Sequence, residues 1–214
     1  MGKSKGFIKI ISLIAFSFLM FSSTFIMADD KNSNTSLIPT KGEGNRLVVV
    51  EYSDFQCYYC AKVQPAVKKI LDNYKDKIKL VFMQYPLTGI HPNALIAAKA
   101  SLAAQKQGKF WELHDLMFKN QRNLSEKDLI KYAEKIGLDV ELFKKDLKDK
   151  KIEAKVMADI AQGRKLGIRG TPTFFIGDTK IVGAVPYEKL SSVIEAKLKS
   201  LPKYKKKTGN DETK

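Results

Sequence analysis

The chain has 214 residues, 44% of them hydrophobic and 29% charged, with 38 Lys and Arg against 23 Asp and Glu for a net charge of +15. This composition excludes a disordered or fibrous polymer, and the length suits one folded domain with room for an insertion. Two cysteines exclude a disulfide-stapled miniature scaffold and a four-cysteine zinc site within one chain, and the single tryptophan argues against a lipid-interface belt.

Residues 1–28 read as an export signal. Lys3, Lys5 and Lys9 form a basic start, Ile10 to Phe21 an apolar core, and Ala28 a cleavage point before Asp29-Asp30. The alternative is an uncleaved anchor, because Ile10 to Met27 approaches the roughly 18 residues that span a bilayer. Either reading delivers the chain to an extracytoplasmic space, with a periplasm favoured, where thiols can be oxidised. Residues 29–45 are polar, contain Pro39, and read as a linker. A basic tail, 203–214, closes the chain and reads as solvated. Leader and tail each contribute +3 of that charge. The lysines between them are scattered among acids, which favours solubility over a nucleic-acid groove.

Residues 46–202 read as one α/β domain. Leu47 to Val50 is a β-branched run expected to form a strand covered on both faces. A helix is expected from Cys57 to Tyr74 and a strand from Ile78 to Tyr85, a right-handed β-α-β unit. The insertion, residues 91–166, is helical throughout. Ala94 to Ala103 gives a helix packed through small residues, and Phe110, Trp111, Leu113, Met117 and Phe118 give another apolar face. Ser125 and Asp128 mark a helix start that Gly137 ends, and short helices follow over Val140–Leu147 and Ile152–Lys165. Strands return at Thr173–Ile176 and Ile181-Val182 around a Gly177-Asp178 turn. Leu190, Val193, Ile194 and Leu198 place one stripe on a closing helix.

Chemistry concentrates at Cys57-Tyr58-Tyr59-Cys60, directly after a strand and at the start of a helix. Residues three apart in a first turn share a face, so the two sulfurs can close a small disulfide ring. Unpaired N–H groups and the dipole at a helix start stabilise an anion, so Cys57 is expected to be the exposed nucleophile of low pKa. Cys60, one turn in, is the expected resolving thiol. A structural disulfide over so small a loop would contribute little stability, and zinc shared between two such motifs of a dimer is a further alternative. Pro65 lies inside the helix. Glu51, on the preceding strand with Tyr52 pointing the other way, is placed to lie beneath the pair and accept a proton; the alternative is a solvated strand-end acid. Gly170-Thr171-Pro172-Thr173 puts a proline at the first position of a strand, where a sheet tolerates it. A cis bond there would expose the Thr171 backbone to an extended client chain. His91 reads as a cap or loop residue, with contact at the active-site rim as the alternative, and His114 as a packed or surface one.

Tyr52 to Cys60, Gly170 to Phe175, His91-Pro92-Asn93-Ala94, Gly108 to Asp115 and the helical insertion together resemble the DsbA-like branch of the thioredoxin superfamily. The resemblance covers about residues 46–200. It implies a thioredoxin-like fold with an all-helical insertion, and a thiol:disulfide oxidoreductase that forms disulfides in newly exported proteins. By that resemblance Cys57 is the nucleophile, Cys60 the resolving thiol of a redox-active Cys57–Cys60 disulfide, Pro172 a cis-proline supported by Thr171, and Glu51 a buried carboxylate. The implied partners are unfolded exported proteins carrying thiols and a membrane partner that recycles the enzyme; the protein itself is expected to be a monomer. Neither an organic cofactor nor a metal is expected. Tyr58-Tyr59 stands where the branch's best-known member has Pro-His, which implies a less acidic Cys57 and a less strongly oxidising disulfide. A reductase or isomerase, a chaperone-like binder of exported chains, and a metal carrier are the rival readings.

Overall fold

The β-branched run after residue 46 becomes β2, Leu47–Ser53, and the sheet is assembled around it. The computed structural model describes residues 37–202; the expected leader, the first part of segment 29–45 and the tail 203–214 lie outside the described residues. β1 is Thr40–Lys41 and α1 Tyr58–Tyr74, followed by β3, Ile78–Gln84. Then come α2 (Ala94–Lys106), α3 (Phe110–Lys119), α4 (Glu126–Lys135), α5 (Val140–Leu147) and α6 (Lys150–Lys165). β4 (Thr173–Ile176), β5 (Thr179–Val182) and α7 (Tyr187–Ser200) complete the domain. The strand order is β1-β3-β2-β4-β5. β2 and β3 run parallel across the α1 crossover, while β1, β4 and β5 pair antiparallel with their neighbours.

Local sequence explains most of these elements. Cys60, Val63, Val67, Ile70 and Tyr74, spaced by three and four, form the buried stripe of α1. Ser125 and Asp128 form a reciprocal capping box at the start of α4, the kind of arrangement worth about 1 kcal/mol. Leu190 and Ile194 are the buried residues of the α7 stripe, together with Ser191. One apolar core joins Leu47, Val49 and Phe174 to Val63, Val67 and Ile70 of α1 and to Leu190 and Ile194 of α7. The other fills the helical insertion and receives Phe55, Phe82, Tyr52 and Tyr85 from the sheet side. Trp111 packs against both.

Two expectations need correction. β2 is not covered on both faces over its first half: Leu47 and Val49 are buried, but Val48 is 45% exposed. The segment 29–45 is not wholly a linker either. Thr40 and Lys41 pair with Val81 and Leu80 of β3, Trp111 Nε1 donates to the Thr40 carbonyl at 2.9 Å, and the Lys41 ammonium sits 4.9 Å from the Trp111 ring centre. Two residues of strand carry no period to read, so composition alone suggested a linker.

Gly44 shows how tightly this entry strap is seated. Its N–H donates to the Lys75 carbonyl at 3.0 Å, and a Cβ there would lie 2.2 Å from the backbone nitrogen of Ile78. Backbone cannot yield as a side-chain tip can. Gly44→Ala is therefore expected to destabilise the protein by about 1–3 kcal/mol in urea unfolding. Gly89→Ala, at a position with nothing within 4 Å of the new carbon, is expected to stay within about 0.5 kcal/mol of the parent.

Candidate active site

The turn between β2 and α1 is built by Asp54. Its carbonyl accepts from Cys57 N at 3.1 Å, and its Oδ1 accepts from Gln56 N at 2.8 Å. These bonds bring the chain into α1 with Cys57 as the N-cap residue, extended at φ −71° and ψ 120°. No side chain caps the helix and no acidic residue occupies its first turn, so the positive end of the dipole is left for the Cys57 sulfur.

The two thiols are free and both are buried, Cys57 at 6% exposure and Cys60 at zero. Their surroundings differ. The Cys57 pKa is drawn down to about 6, foremost by the Cys60 thiol, then by Thr171 and by the backbone N–H groups of Cys60 and Tyr59, against the opposing effect of burial. Cys57 Sγ also lies 3.3 Å from the Thr171 carbonyl oxygen, to which it donates as a thiol. Cys60 is pushed strongly upward, first by burial and then by its partner sulfur. The Asp54 N–H donates to its Sγ at 3.5 Å. One sulfur is thus readily ionised and the other is held as a thiol at neutral pH.

The Thr171–Pro172 peptide bond is cis. It sets the Thr171 carbonyl against Cys57 just before Thr173 begins β4. Glu51 is fully buried within β2, paired in register with Phe82 on β3 and Phe174 on β4. Burial raises its pKa to about 7, partly offset by Ser53 and Gln64. Gln64 Nε2 donates to Glu51 Oε1 at 3.0 Å and to the Cys60 carbonyl at 3.1 Å. The solvated-acid alternative for Glu51 is therefore excluded. All five residues singled out from the sequence occupy one locality, joined by contacts through Cys57–Thr171 and Cys60–Gln64–Glu51.

Several supporting residues were not singled out. Asp54 Oδ2 accepts from Leu87 N and meets His91 Nδ1, each at 2.8 Å, which ties the loop after β3 to the cysteine turn. His91 thus does more than cap a loop. Gln121 Nε2 donates to the carbonyls of Phe55 and Cys57 at 2.8 and 2.7 Å. An Asp two residues before a turn amide was a readable signal for Asp54, and Gln64 lies one helical turn beyond Cys60. Gln121 carried no local signal. His114 is packed in a cage of Phe55, Phe82, Phe110, Trp111 and Phe118, and burial lowers its pKa and keeps it neutral. Among the described residues no group of three or more His, Cys, Asp or Glu is placed to hold a metal ion. Tyr58 and Tyr59 are 66% and 56% exposed, so the residues between the cysteines present aromatic surface to solvent.

Comparison with known proteins bears on the family and the fold. A thioredoxin family model, Thioredoxin_4, matches residues 42–196. Among curated proteins, the Na(+)/H(+) antiporter NhaA 3 of Salinispora tropica is 38% identical over 148 residues, which is 69% of this chain and 22% of that protein. The NhaA antiporter of Herminiimonas arsenicoxydans is 36% identical over 154 residues, 72% of this chain and 24% of that protein. The chain therefore spans about a quarter of the length of these relatives. Among solved structures, a thioredoxin-like oxidoreductase from Silicibacter pomeroyi superposes with a TM-score of 0.71 at 28% identity, covering 78% of this chain and 95% of that one. The catalytic domain of Proteus mirabilis ScsC gives 0.67 at 27% identity, with 78% and 93% covered. The thiol-disulfide exchange protein α-DsbA2 of Wolbachia pipientis gives 0.67 at 28% identity, with 74% and 86% covered. By sheet order, inserted helices and family match, the chain belongs to the thioredoxin superfamily, in its DsbA-like branch.

Proposed function

We propose that the protein is an extracytoplasmic thiol:disulfide oxidoreductase that donates a Cys57–Cys60 disulfide to exported client proteins. The observation that carries this reading is the split between the two sulfurs: Cys57 with its pKa near 6 at a helix start, Cys60 buried and held neutral. A thiol of this pKa is about nine-tenths ionised at pH 7. A thiolate so stabilised is a good leaving group and favours the reduced form of the enzyme, which makes its disulfide a donor.

The exchange then balances in two steps. A client thiolate attacks Cys57 Sγ, the Cys57–Cys60 bond breaks, and its electron pair leaves on Cys60, which takes a proton. A second client thiolate attacks the client sulfur of the mixed disulfide and expels Cys57 as thiolate. The client gains a disulfide and the enzyme is left as thiolate plus thiol. Glu51, fully buried and joined through the Gln64 amide to the backbone carbonyl of Cys60, is the proton source in the first step and the acceptor in its reverse. The Thr171 carbonyl beside Cys57 offers backbone pairing to an extended client, and Tyr58 and Tyr59 offer it apolar contact. Reduced enzyme would be reoxidised by a membrane partner.

Four outcomes are expected. Refolding of a reduced, scrambled client should be accelerated by the protein and not by Cys57→Ser; equal rates would refute the proposal. Alkylation of reduced protein by iodoacetamide should titrate with a midpoint near pH 6, and Cys60→Ala should move that midpoint upward, because the Cys60 thiol is the largest lowering influence. Stability should follow the same groups. The folded Cys57 pKa is depressed from 9.0 to about 6, so reduced protein should gain stability over Cys57→Ser as pH rises from about 6 to 9 and lose that gain as pH falls back through 6. The folded Glu51 pKa is raised from 4.5 to about 7, so Glu51→Gln should gain on the parent across that window, read by urea unfolding at a series of pH values. Direction in the cell is read by thiol trapping: a mostly oxidised pair fits a donor, and a mostly reduced pair fits a reductase or isomerase.

A further inference from the structure

Gln121 lies between α3 and α4, 64 positions from Cys57, yet its Nε2 donates to the Cys57 carbonyl at 2.7 Å and to the Phe55 carbonyl at 2.8 Å. Both amide hydrogens are thereby spent on the cysteine turn. The loop that carries Gln121 is itself fastened. Asn120 Nδ2 donates to the Leu116 carbonyl at 2.7 Å, Asn123 N–H to the Asn120 carbonyl at 2.8 Å, and the Tyr132 hydroxyl to the Asn123 carbonyl at 2.9 Å. The Cys57 carbonyl accepts from three donors: Gln121 at 2.7 Å, Cys60 N–H at 3.0 Å and Ala61 N–H at 3.3 Å. Only the Ala61 bond is the regular helical one. The Cys60 N–H occupies the third helical position, where it ordinarily serves the side chain of the cap residue, here the Cys57 sulfur. A carbonyl has two lone pairs, so the Gln121 amide competes with the Cys60 N–H for this oxygen.

We propose that Gln121 is a positioning residue that holds the Cys57 carbonyl, so that the Cys60 N–H is released to the Cys57 sulfur when that sulfur becomes an anion. The proposal rests on the redox reading above and makes the inserted helices a determinant of how strongly the disulfide donates. With Gln121 in place, the oxygen keeps its shortest bond and the Ala61 bond while the Cys60 N–H turns away. Without it, the same movement would leave the oxygen with the 3.3 Å bond alone, and a poorly satisfied acceptor in a part-buried turn is costly. The Cys60 amide would then stay on the carbonyl and the anion would lose a donor. The Phe55 bond serves the same end. It fixes the turn at its carbonyls while Asp54 fixes it at the amides of Gln56 and Cys57. The largest influences on the sulfur itself are the Cys60 thiol, burial, Thr171 and the N–H groups of Cys60 and Tyr59, with no charged side chain among them. Gln121 acts on it through the backbone.

The test is a pH titration of thiolate absorbance on the full, reduced chain, together with thiol–disulfide equilibration against glutathione. Gln121→Met keeps the length of the side chain and removes both donors. It should raise the thiolate midpoint by about one pH unit, the worth of one such bond. In the equilibration, reduced enzyme and oxidised glutathione give oxidised enzyme and two molecules of reduced glutathione. Gln121→Met should move that equilibrium towards oxidised enzyme about fivefold at pH 7 and hardly at all at pH 5, where the thiol is protonated in both proteins. A merely structural residue would shift it equally at the two pH values. Gln121→Glu, whose carboxylate donates nothing once ionised, should raise the midpoint at least as far. Gln107→Met is the control: Gln107 also belongs to the insertion but makes its bonds to the backbone of Asp139, so the midpoint should stay at the parent's value. A parental midpoint in both Gln121 variants, an equal shift in Gln107→Met, or a glutathione shift independent of pH would overturn the positioning role and leave the redox reading intact. A titration step near pH 6 that survived in Cys57→Ser would instead overturn that reading itself. Thermal melts of the oxidised variants separate a lost donor from lost folding.

Discussion

The side chain that carries the proposed chemistry is also the cap of the helix on which it sits. A helix leaves its first N–H groups without partners, and an N-cap side chain satisfies them by accepting from the second and third helical residues. Here the cap position is Cys57 and the donors acting on its sulfur are the N–H groups of Tyr59 and Cys60. A thiol is a poor acceptor, and as a thiol Cys57 instead donates to Thr171. Ionisation converts it into an anionic cap at the positive end of a helix whose first turn holds no competing carboxylate. The stability of α1 and the acidity of its first sulfur are therefore one quantity seen from two sides.

The rest of the fold maintains that relation. β2 and β3 run parallel beneath α1 and deliver the turn at Asp54; the cis bond before β4 brings a carbonyl to the sulfur from the opposite side. The helical insertion supplies Gln121, which grips the carbonyls of Phe55 and Cys57, and the loop before α2 supplies His91 to the Asp54 carboxylate. Cys60 is excluded from water by the same packing, which keeps it neutral while its neighbour ionises. Desolvation of one sulfur, and hydrogen bonds to the other from that same thiol, from Thr171 and from the helix amides, are what let a pair of identical side chains differ so widely.

What the sequence made legible was what it encodes locally. The β2 run, the helical periods of the insertion, the Ser125–Asp128 cap and the cysteines at a strand–helix junction all announce themselves within a few residues. β1 did not, because two residues hold no pattern, and its place at the edge of β3 depends on Trp111 seventy-one positions away. The Val48 face was misjudged because an unbroken β-branched run does not say which of its faces receives a helix. At the site, Cys57, Cys60 and Glu51 were readable from spacing and parity. Gln121 and the Asp54–His91 contact were not, since chain separations of 64 and 37 residues are closed only by the finished fold.

Trp111, the single indole of the chain, stands where the two apolar cores meet and where the entry strap is fastened. It holds the Thr40 carbonyl through its ring nitrogen, receives the Lys41 ammonium on its face and walls the space beside Gln64. The molecule thus carries a built-in fluorophore at its structural junction. Its emission reports, with no label attached, whether the inserted helices and the sheet edge remain docked.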